Sequence, residues 1–76
     1  MPRIKCTFAE FIRNIEAAGF VLHRHGGTSH RRYRGVIEGQ VRFVDVAYHR
    51  IGDDILPKTL ASMIRQCGLP KHLFQK

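Results

Sequence analysis

Residues 20–48 of the chain, FVLHRHGGTSHRRYRGVIEGQVRFVDVAY, decide its fold class. The segment is rich in β-branched and aromatic residues, which favour strands, and glycine-containing turns interrupt it. These interruptions predict strands at residues 20–25, 29–34 and 41–48, with a turn at residues 35–40. Because the connections are short, consecutive strands are expected to pair antiparallel. The segment therefore predicts a three-stranded antiparallel meander.

A predicted helix flanks this meander on each side. The first begins at a capping box formed by Thr7 and Glu10 and ends at Gly19, and the second runs from Pro57 to Gly68. Their apolar stripes consist of Phe8, Phe11, Ile12, Ile15 and Ala18, and of Leu60, Met63, Ile64 and Cys67. Both stripes need an apolar partner, so we expect two helices on one face of the sheet and an open opposite face. The prediction is an α+β fold in the order α-β-β-β-α, as a single domain over residues 1–76.

The composition narrows the class of partner. The chain has 76 residues, a formal net charge of +7 and a pI near 10.3, so a polyanion or an acidic protein is the expected partner. It is too short for a nucleotide-binding domain, and its 43% hydrophobic content is too high for a disordered chain. The longest apolar run, residues 17–22, is far too short to span a membrane, so we expect a cytoplasmic protein. Cys6 and Cys67 are expected to be buried thiols.

Positive charge is concentrated in the first two predicted strands. No acidic residue occurs between Glu16 and Glu38, an interval that contains seven cationic or titratable residues. These residues are His23, Arg24, His25, His30, Arg31, Arg32 and Arg34. The pattern favours a surface that binds phosphates, and the alternative is a solvated strand whose charges only prevent edge pairing.

Strand alternation predicts which of these side chains share a face. If Tyr33 points into the core, His30, Arg32 and Arg34 lie together on the solvent side. In the third strand the core positions are predicted to be Val44 and Val46, and Asp45 is then expected to pair with an arginine of a neighbouring strand on the open face.

His30 is the residue with the most chemical potential. It follows Gly26-Gly27-Thr28-Ser29, a flexible segment that allows close approach of a ligand. The surrounding arginines disfavour a further positive charge, which favours the neutral imidazole that can accept a proton. A proton acceptor beside cations can act on the 2′-hydroxyl and phosphate of RNA, and the alternative is an ordinary surface histidine. His23 and His25 are expected to share a strand face, as metal ligands often do. A zinc site formed with His30 is nevertheless disfavoured by the adjacent arginines, so we expect no metal and no cofactor.

The order of several short motifs resembles the HicA (YcfA-like) family of toxins from bacterial type II toxin–antitoxin pairs. The motifs are the helix ending at Gly19-Phe20, the run Gly27-Thr28-Ser29-His30-Arg31-Arg32-Tyr33, the Val-rich strand leading to His49, the segment Pro57-Lys58-Thr59-Leu60, and the segment Met63-Ile64-Arg65-Gln66-Cys67-Gly68-Leu69. The resemblance implies a fold like the double-stranded-RNA-binding domain. It also implies a metal-independent mRNA interferase whose catalytic histidine is His30, and a HicB-type antitoxin as partner.

The functional hypothesis combines the resemblance with the charge pattern. His30 is expected to act as the acid/base group of an endoribonuclease, with RNA contacts from Arg24, Ser29, Arg31, Arg32, Arg34 and His49. The alternative for His49 is a structural role, either capping its strand or bonding the loop that contains Asp53. The chain alone is expected to be a monomer. The alternatives are a non-catalytic RNA-binding module of the same fold and a domain whose arginines serve only an acidic protein.

Overall fold

The computed structural model describes residues 5–26 and 30–74. Its elements follow the predicted order: α1 (Phe8–Ala17), β1 (Val21–Gly26), β2 (His30–Ile37), β3 (Gln40–Ala47), α2 (Pro57–Cys67) and a short 3-10 helix (Lys71–Phe74). The three strands form one antiparallel sheet in the order β1-β2-β3. The α+β class and the α-β-β-β-α order are therefore confirmed. Within the described residues, no helix combines the length and apolar character needed to cross a membrane.

Helix α1 has the ends that its sequence predicts. The Thr7 Oγ1 accepts from the Glu10 amide at 3.1 Å, and the Glu10 Oε1 accepts from the Thr7 amide at 2.9 Å, which is the reciprocal capping box. The Phe8 and Ala9 amides donate to backbone carbonyls of Asp53 and Ile51, in the loop after β3. At the other end Gly19 has φ +99°, and the Phe20 amide donates to the carbonyl of Ile15, as in a Schellman motif.

The turn between β2 and β3 is shorter than the sequence suggested. A turn over residues 35–40 was expected because of the two glycines, but only Glu38 and Gly39 form it. Both have positive φ, 51° and 79°, which is the backbone of a two-residue hairpin turn. Gly35 instead lies within β2 and is buried under the ring of Phe20. Its lack of a side chain serves close packing in the strand rather than a change of direction.

Both helices pack on the same face of the sheet, as predicted. Tyr33 of β2 and Val44 and Val46 of β3 point toward this face and are buried with the apolar stripes of α1 and α2. At the C-terminal end the ring of Phe74 stacks on that of Phe11, with centroids 4.9 Å apart. β1 extends beyond this cover, and each of its residues is exposed. The opposite face of the sheet is open to solvent.

Helix α2 ends at Gly68, and the buried thiol of Cys67 lies just before this end. Gly68 has φ +71°, and the guanidinium of Arg42 lies against it, near the negative end of the helix dipole. Cys67 just before it is fully buried, and its thiol donates to the Ile64 carbonyl at 3.1 Å. Cys6 is buried as well. The prediction that both cysteines are buried thiols is therefore confirmed.

The buried thiol predicts a loss of stability at alkaline pH. Burial raises the pKa of Cys67 above its ordinary value of 9.0, so the folded chain keeps this proton while the unfolded chain releases it. The free energy of unfolding should therefore fall as pH rises above about 9, by at most about 1.4 kcal/mol per pH unit from this group. Denaturant unfolding across this pH range measures the slope. The Cys67→Ala variant should show a smaller slope, and an unchanged slope would contradict the assignment.

Candidate nucleic-acid interface

The open face of the sheet carries cationic side chains from β1 and β2. We use "open face" for the solvent-facing side chains of β1, β2 and β3, on the side away from the helices. Its polar members are His23, Arg24, His30, Arg32, Arg34 and Asp45, and its apolar members include Val21, Val36, Val41 and Phe43. The prediction that His30, Arg32 and Arg34 share a face opposite Tyr33 is confirmed. Three arginines against one carboxylate make this surface positively charged.

A β-bulge in β1 adds to this charge. The register between β1 and β2 shifts between Leu22 and Arg24, so that His23 has no partner in β2. Arg24 therefore pairs with Arg32 on the open face, and His25 pairs with Arg31 on the helix side. Regular alternation would have placed His23 and His25 on one face. That expectation was wrong, because the extra residue inverts the alternation.

Arg32 and Asp45 form an ion pair in the middle of the open face. The Nε of Arg32 donates to Oδ1 of Asp45 at 2.9 Å, and its second nitrogen lies 3.4 Å from Oδ2. The hydrogen bond and the negative charge of Asp45 raise the pKa of Arg32. The predicted pairing of Asp45 with an arginine of the neighbouring strand is therefore confirmed. Within residues 5–26 and 30–74, Arg24 and Arg34 have no ion-pair partner and remain available for an external anion.

His30 stands at one end of this face. It is the first residue of β2, it is exposed, and it pairs with Gly26 of β1 and Ala47 of β3. Because both neighbours are small, no bulky side chain covers the imidazole from the adjacent strands. A shallow depression lies here, lined by Arg24, Gly26, His30, Arg31, Arg32 and Asp45. A polyanion in this depression would have both a titratable ring and guanidinium groups within reach.

Arg31 belongs to the other side of the sheet. It is half-buried, and its guanidinium carbon lies 4.3 Å from the centroid of the Tyr48 ring. The Tyr48 ring in turn packs on Phe8, with centroids 5.5 Å apart. Arg31 was predicted to contact RNA. Its side chain lies on the helix side of the sheet, whereas Arg32 and Arg34 lie on the open face. Cation–π packing gives this arginine a structural role of its own.

Of the other two predicted RNA contacts, His49 lies at the same end of the sheet as His30, and Ser29 lies outside the described residues. Ser29 falls in residues 27–29, which lie outside the described residues, as do Gly27 and Thr28 of the motif. His49 follows β3 by two positions and is exposed. Since Ala47 pairs with His30, His49 extends from the end of the sheet that carries His30. In the described part of the chain its side chain makes no hydrogen bond to Asp53, the structural partner that the sequence suggested.

Phe43 is a member of the open face that the sequence analysis did not single out. Its ring is 41% exposed. The His23 ring lies at a centroid distance of 5.4 Å, and the guanidinium carbon of Arg32 lies 5.6 Å from the centroid of the Phe43 ring. A signal was present, because once Val44 and Val46 are assigned to the core, alternation places Phe43 beside Asp45 on the opposite side. His23 could not be found in this way, because its position depends on the bulge.

The chain was compared with known families and proteins. A model of the family described as "HicA toxin of bacterial toxin-antitoxin" matches residues 8–69. The match begins at the first residue of α1 and includes all three strands and all of α2. No curated protein and no solved structure matches the chain.

Proposed function

Because the chain belongs to the HicA toxin family of bacterial toxin–antitoxin systems, we propose that it is an endoribonuclease that cleaves mRNA. The observation that carries the proposal is the position of His30, exposed at the end of a positively charged open face and beside a depression lined by arginines. An exposed imidazole can move a proton near neutral pH, and the nearby guanidinium groups can bind the phosphates of an RNA strand. Together they are the groups that RNA cleavage requires.

In the proposed reaction His30 acts on the ribose that precedes the scissile phosphate. Its imidazole accepts the proton of the 2′-hydroxyl, and the resulting oxygen attacks phosphorus and forms a P–O2′ bond. The P–O5′ bond breaks, and the leaving oxygen takes a proton from imidazolium or water. The products are a 2′,3′-cyclic phosphate and a 5′-hydroxyl. Arg24 and Arg32, which line the depression beside His30, stabilise the additional negative charge on the phosphate oxygens.

This chemistry uses only groups of the chain and of the RNA itself. The base is an imidazole, the electrostatic stabilisation comes from guanidinium groups, and the nucleophile belongs to the substrate. The proposal is therefore a metal-independent reaction without a cofactor, in the cytoplasm where mRNA is found. Excess chelator should leave the rate unchanged.

A toxin also needs a protein that neutralises it. We propose a HicB-type antitoxin that covers the open face and thereby blocks both His30 and the arginines. The formal charge of +7 favours an acidic partner, since opposite charges accelerate association and select the partner. The chain without its antitoxin is proposed to be a monomer.

Expression of the chain in growing bacteria tests the proposed activity. We expect growth to stop, mRNA to be fragmented, and coexpression of the antitoxin to restore both. Intact mRNA together with RNA binding by the purified chain would favour the non-catalytic binding module. Intact mRNA without RNA binding would favour a domain that contacts only proteins.

The ion pair on the open face predicts the effect of a charge change. Asp45→Asn removes the only carboxylate of this face and releases Arg32, so RNA binding should tighten on the order of fivefold at low salt. Stability should change little, because exposed ion pairs contribute little. Titration of labelled RNA at several salt concentrations measures the effect. Asp54→Asn is the matched control, because Asp54 also contacts a cation, Lys5, but lies outside the sheet. Weaker binding by Asp45→Asn would mean that Asp45 positions Arg32 for phosphate.

A further inference from the structure

Phe43 is the one aromatic side chain that the fold leaves in solvent. The chain has five phenylalanines and two tyrosines, and all seven lie in the described residues. Six of them are buried or half-buried on the helix side, whereas Phe43 lies on the open face. It neighbours the exposed pair Val36 and Val41 on this face, and a group of exposed apolar side chains, unlike a single one, indicates a binding surface.

The surroundings of Phe43 match a site for a nucleobase. His23 flanks the ring from β1, and Arg32 approaches it from β2, at the distances given above. In the paired register Arg34 lies directly opposite Phe43, next to Val21. The site thus offers an aromatic surface for a base and guanidinium groups for the adjacent phosphates. Proteins that bind single-stranded nucleic acids combine these two features.

We propose that Phe43, flanked by His23 and Arg32, is a stacking site for an unpaired base, and that the RNA substrate is therefore single-stranded at the open face. The inference rests on the proposed function and names the form of its substrate. The row of Phe43 lies two rows from that of His30 along the sheet, about 14 Å, since alternate residues are about 6.8 Å apart. The stacked base is therefore a few nucleotides away from the bond that His30 acts on, and it fixes the register of the strand.

When the antitoxin is absent, charge favours RNA as the occupant of the open face. Val21 and Phe43 share a row of this face with Arg34. Arg24 and Arg32 occupy the next row together with Asp45, the carboxylate of the face. A base brings an apolar surface together with a negatively charged backbone, so one ligand satisfies both the ring and the arginines. A paired base within a duplex could not stack on Phe43, because its faces are already covered by neighbouring bases.

A tryptophan reporter tests the stacking directly. The natural chain contains no tryptophan, so the Phe43→Trp variant has a single indole, whose emission can be excited separately from that of the two tyrosines. The probe is 2′-O-methyl oligouridine, which stays single-stranded and lacks the nucleophile. We expect it to quench the fluorescence of Phe43→Trp, whereas the same strand paired with oligoadenine should not. Leu56→Trp is the control, because Leu56 is 73% exposed in the segment before α2 and should be unaffected.

A binding series complements the reporter. Phe43→Ala should bind the same single strand about tenfold more weakly, and Leu56→Ala should bind it like the natural chain. Quenching by both forms of RNA, or binding without quenching and without loss in Phe43→Ala, would overturn the stacking site but leave the proposed nuclease intact. Failure of the natural chain to bind any RNA would overturn both. Loss of antitoxin binding alone in Phe43→Ala would assign the ring to a protein contact and overturn the proposal.

Discussion

Replacement of His30 by alanine is expected to lower the rate of RNA cleavage roughly 10²- to 10⁴-fold, the usual contribution of a positioned acid or base. Alanine cannot accept the proton of the 2′-hydroxyl, and the open face would keep its arginines. His30 is exposed, so its loss should barely change the stability of the fold. Bacteria that express His30→Ala should therefore grow normally and keep their mRNA intact. Cleavage rates of the purified proteins on one RNA measure the effect.

The matched control is a histidine on the other side of the molecule. His72 lies in the short 3-10 helix after α2, is exposed, and has no part in the open face. His72→Ala should cleave RNA at the natural rate. RNA affinity should distinguish a role of His30 in proton transfer from a role in RNA binding. If His30 only transfers protons, His30→Ala should still bind RNA, because the arginines remain. Equal cleavage by His30→Ala and the natural chain would remove His30 from the reaction.

Gly35→Ala is expected to destabilise the fold by about 1–3 kcal/mol, the cost of an added group in a packed core. A Cβ at this position would lie 2.6–2.8 Å from three atoms of the Phe20 ring. The ring cannot move away easily, because Phe20 is itself only 2% exposed. In a chain of this size the melting temperature should fall by roughly 4–8 °C for each kcal/mol lost. Thermal unfolding followed by circular dichroism measures the shift.

A second glycine provides the control for this change. Nothing lies within 4 Å of a Cβ built on Gly52, and its φ is not in the left-handed region, so Gly52→Ala should leave the melting temperature nearly unchanged. In a double-mutant cycle, Gly35→Ala should cost less in a Phe20→Leu background, because the smaller side chain relieves the clash. Additive effects would show that Gly35 and Phe20 do not limit each other.

Local signals were enough to predict most of the fold. The capping box at Thr7 and the terminating glycines Gly19 and Gly68 satisfy backbone groups within a few residues of the chain. Pro57 suits the first position of α2 because it has no N–H to satisfy. Alternation around Tyr33 predicted the face of His30 and its neighbouring arginines, because a regular strand has a fixed period of two. The ion pair of Asp45 followed from the same rule.

The features that the sequence did not reveal depend on contacts between distant residues. Gly35 was interpreted as part of a turn, because its packing partner Phe20 is distant in sequence and lies just before β1. The bulge at His23 arises from the register between β1 and β2, and it separates His23 and His25, which regular alternation would place on one face. The site around Phe43 needs both the bulge and the β2–β3 register, so periodicity alone could not assemble it.

Analysis of the ends of the RNA products tests the central claim most directly. A defined RNA would be incubated with the purified chain in excess chelator, and the fragments would be identified by mass spectrometry. If His30 activates the 2′-hydroxyl, the fragments carry 2′,3′-cyclic phosphates, and a 2′-deoxy substitution at the cleaved position or His30→Ala abolishes them. Fragments with 3′-hydroxyl ends, or fragments that form equally well with His30→Ala, would contradict the account.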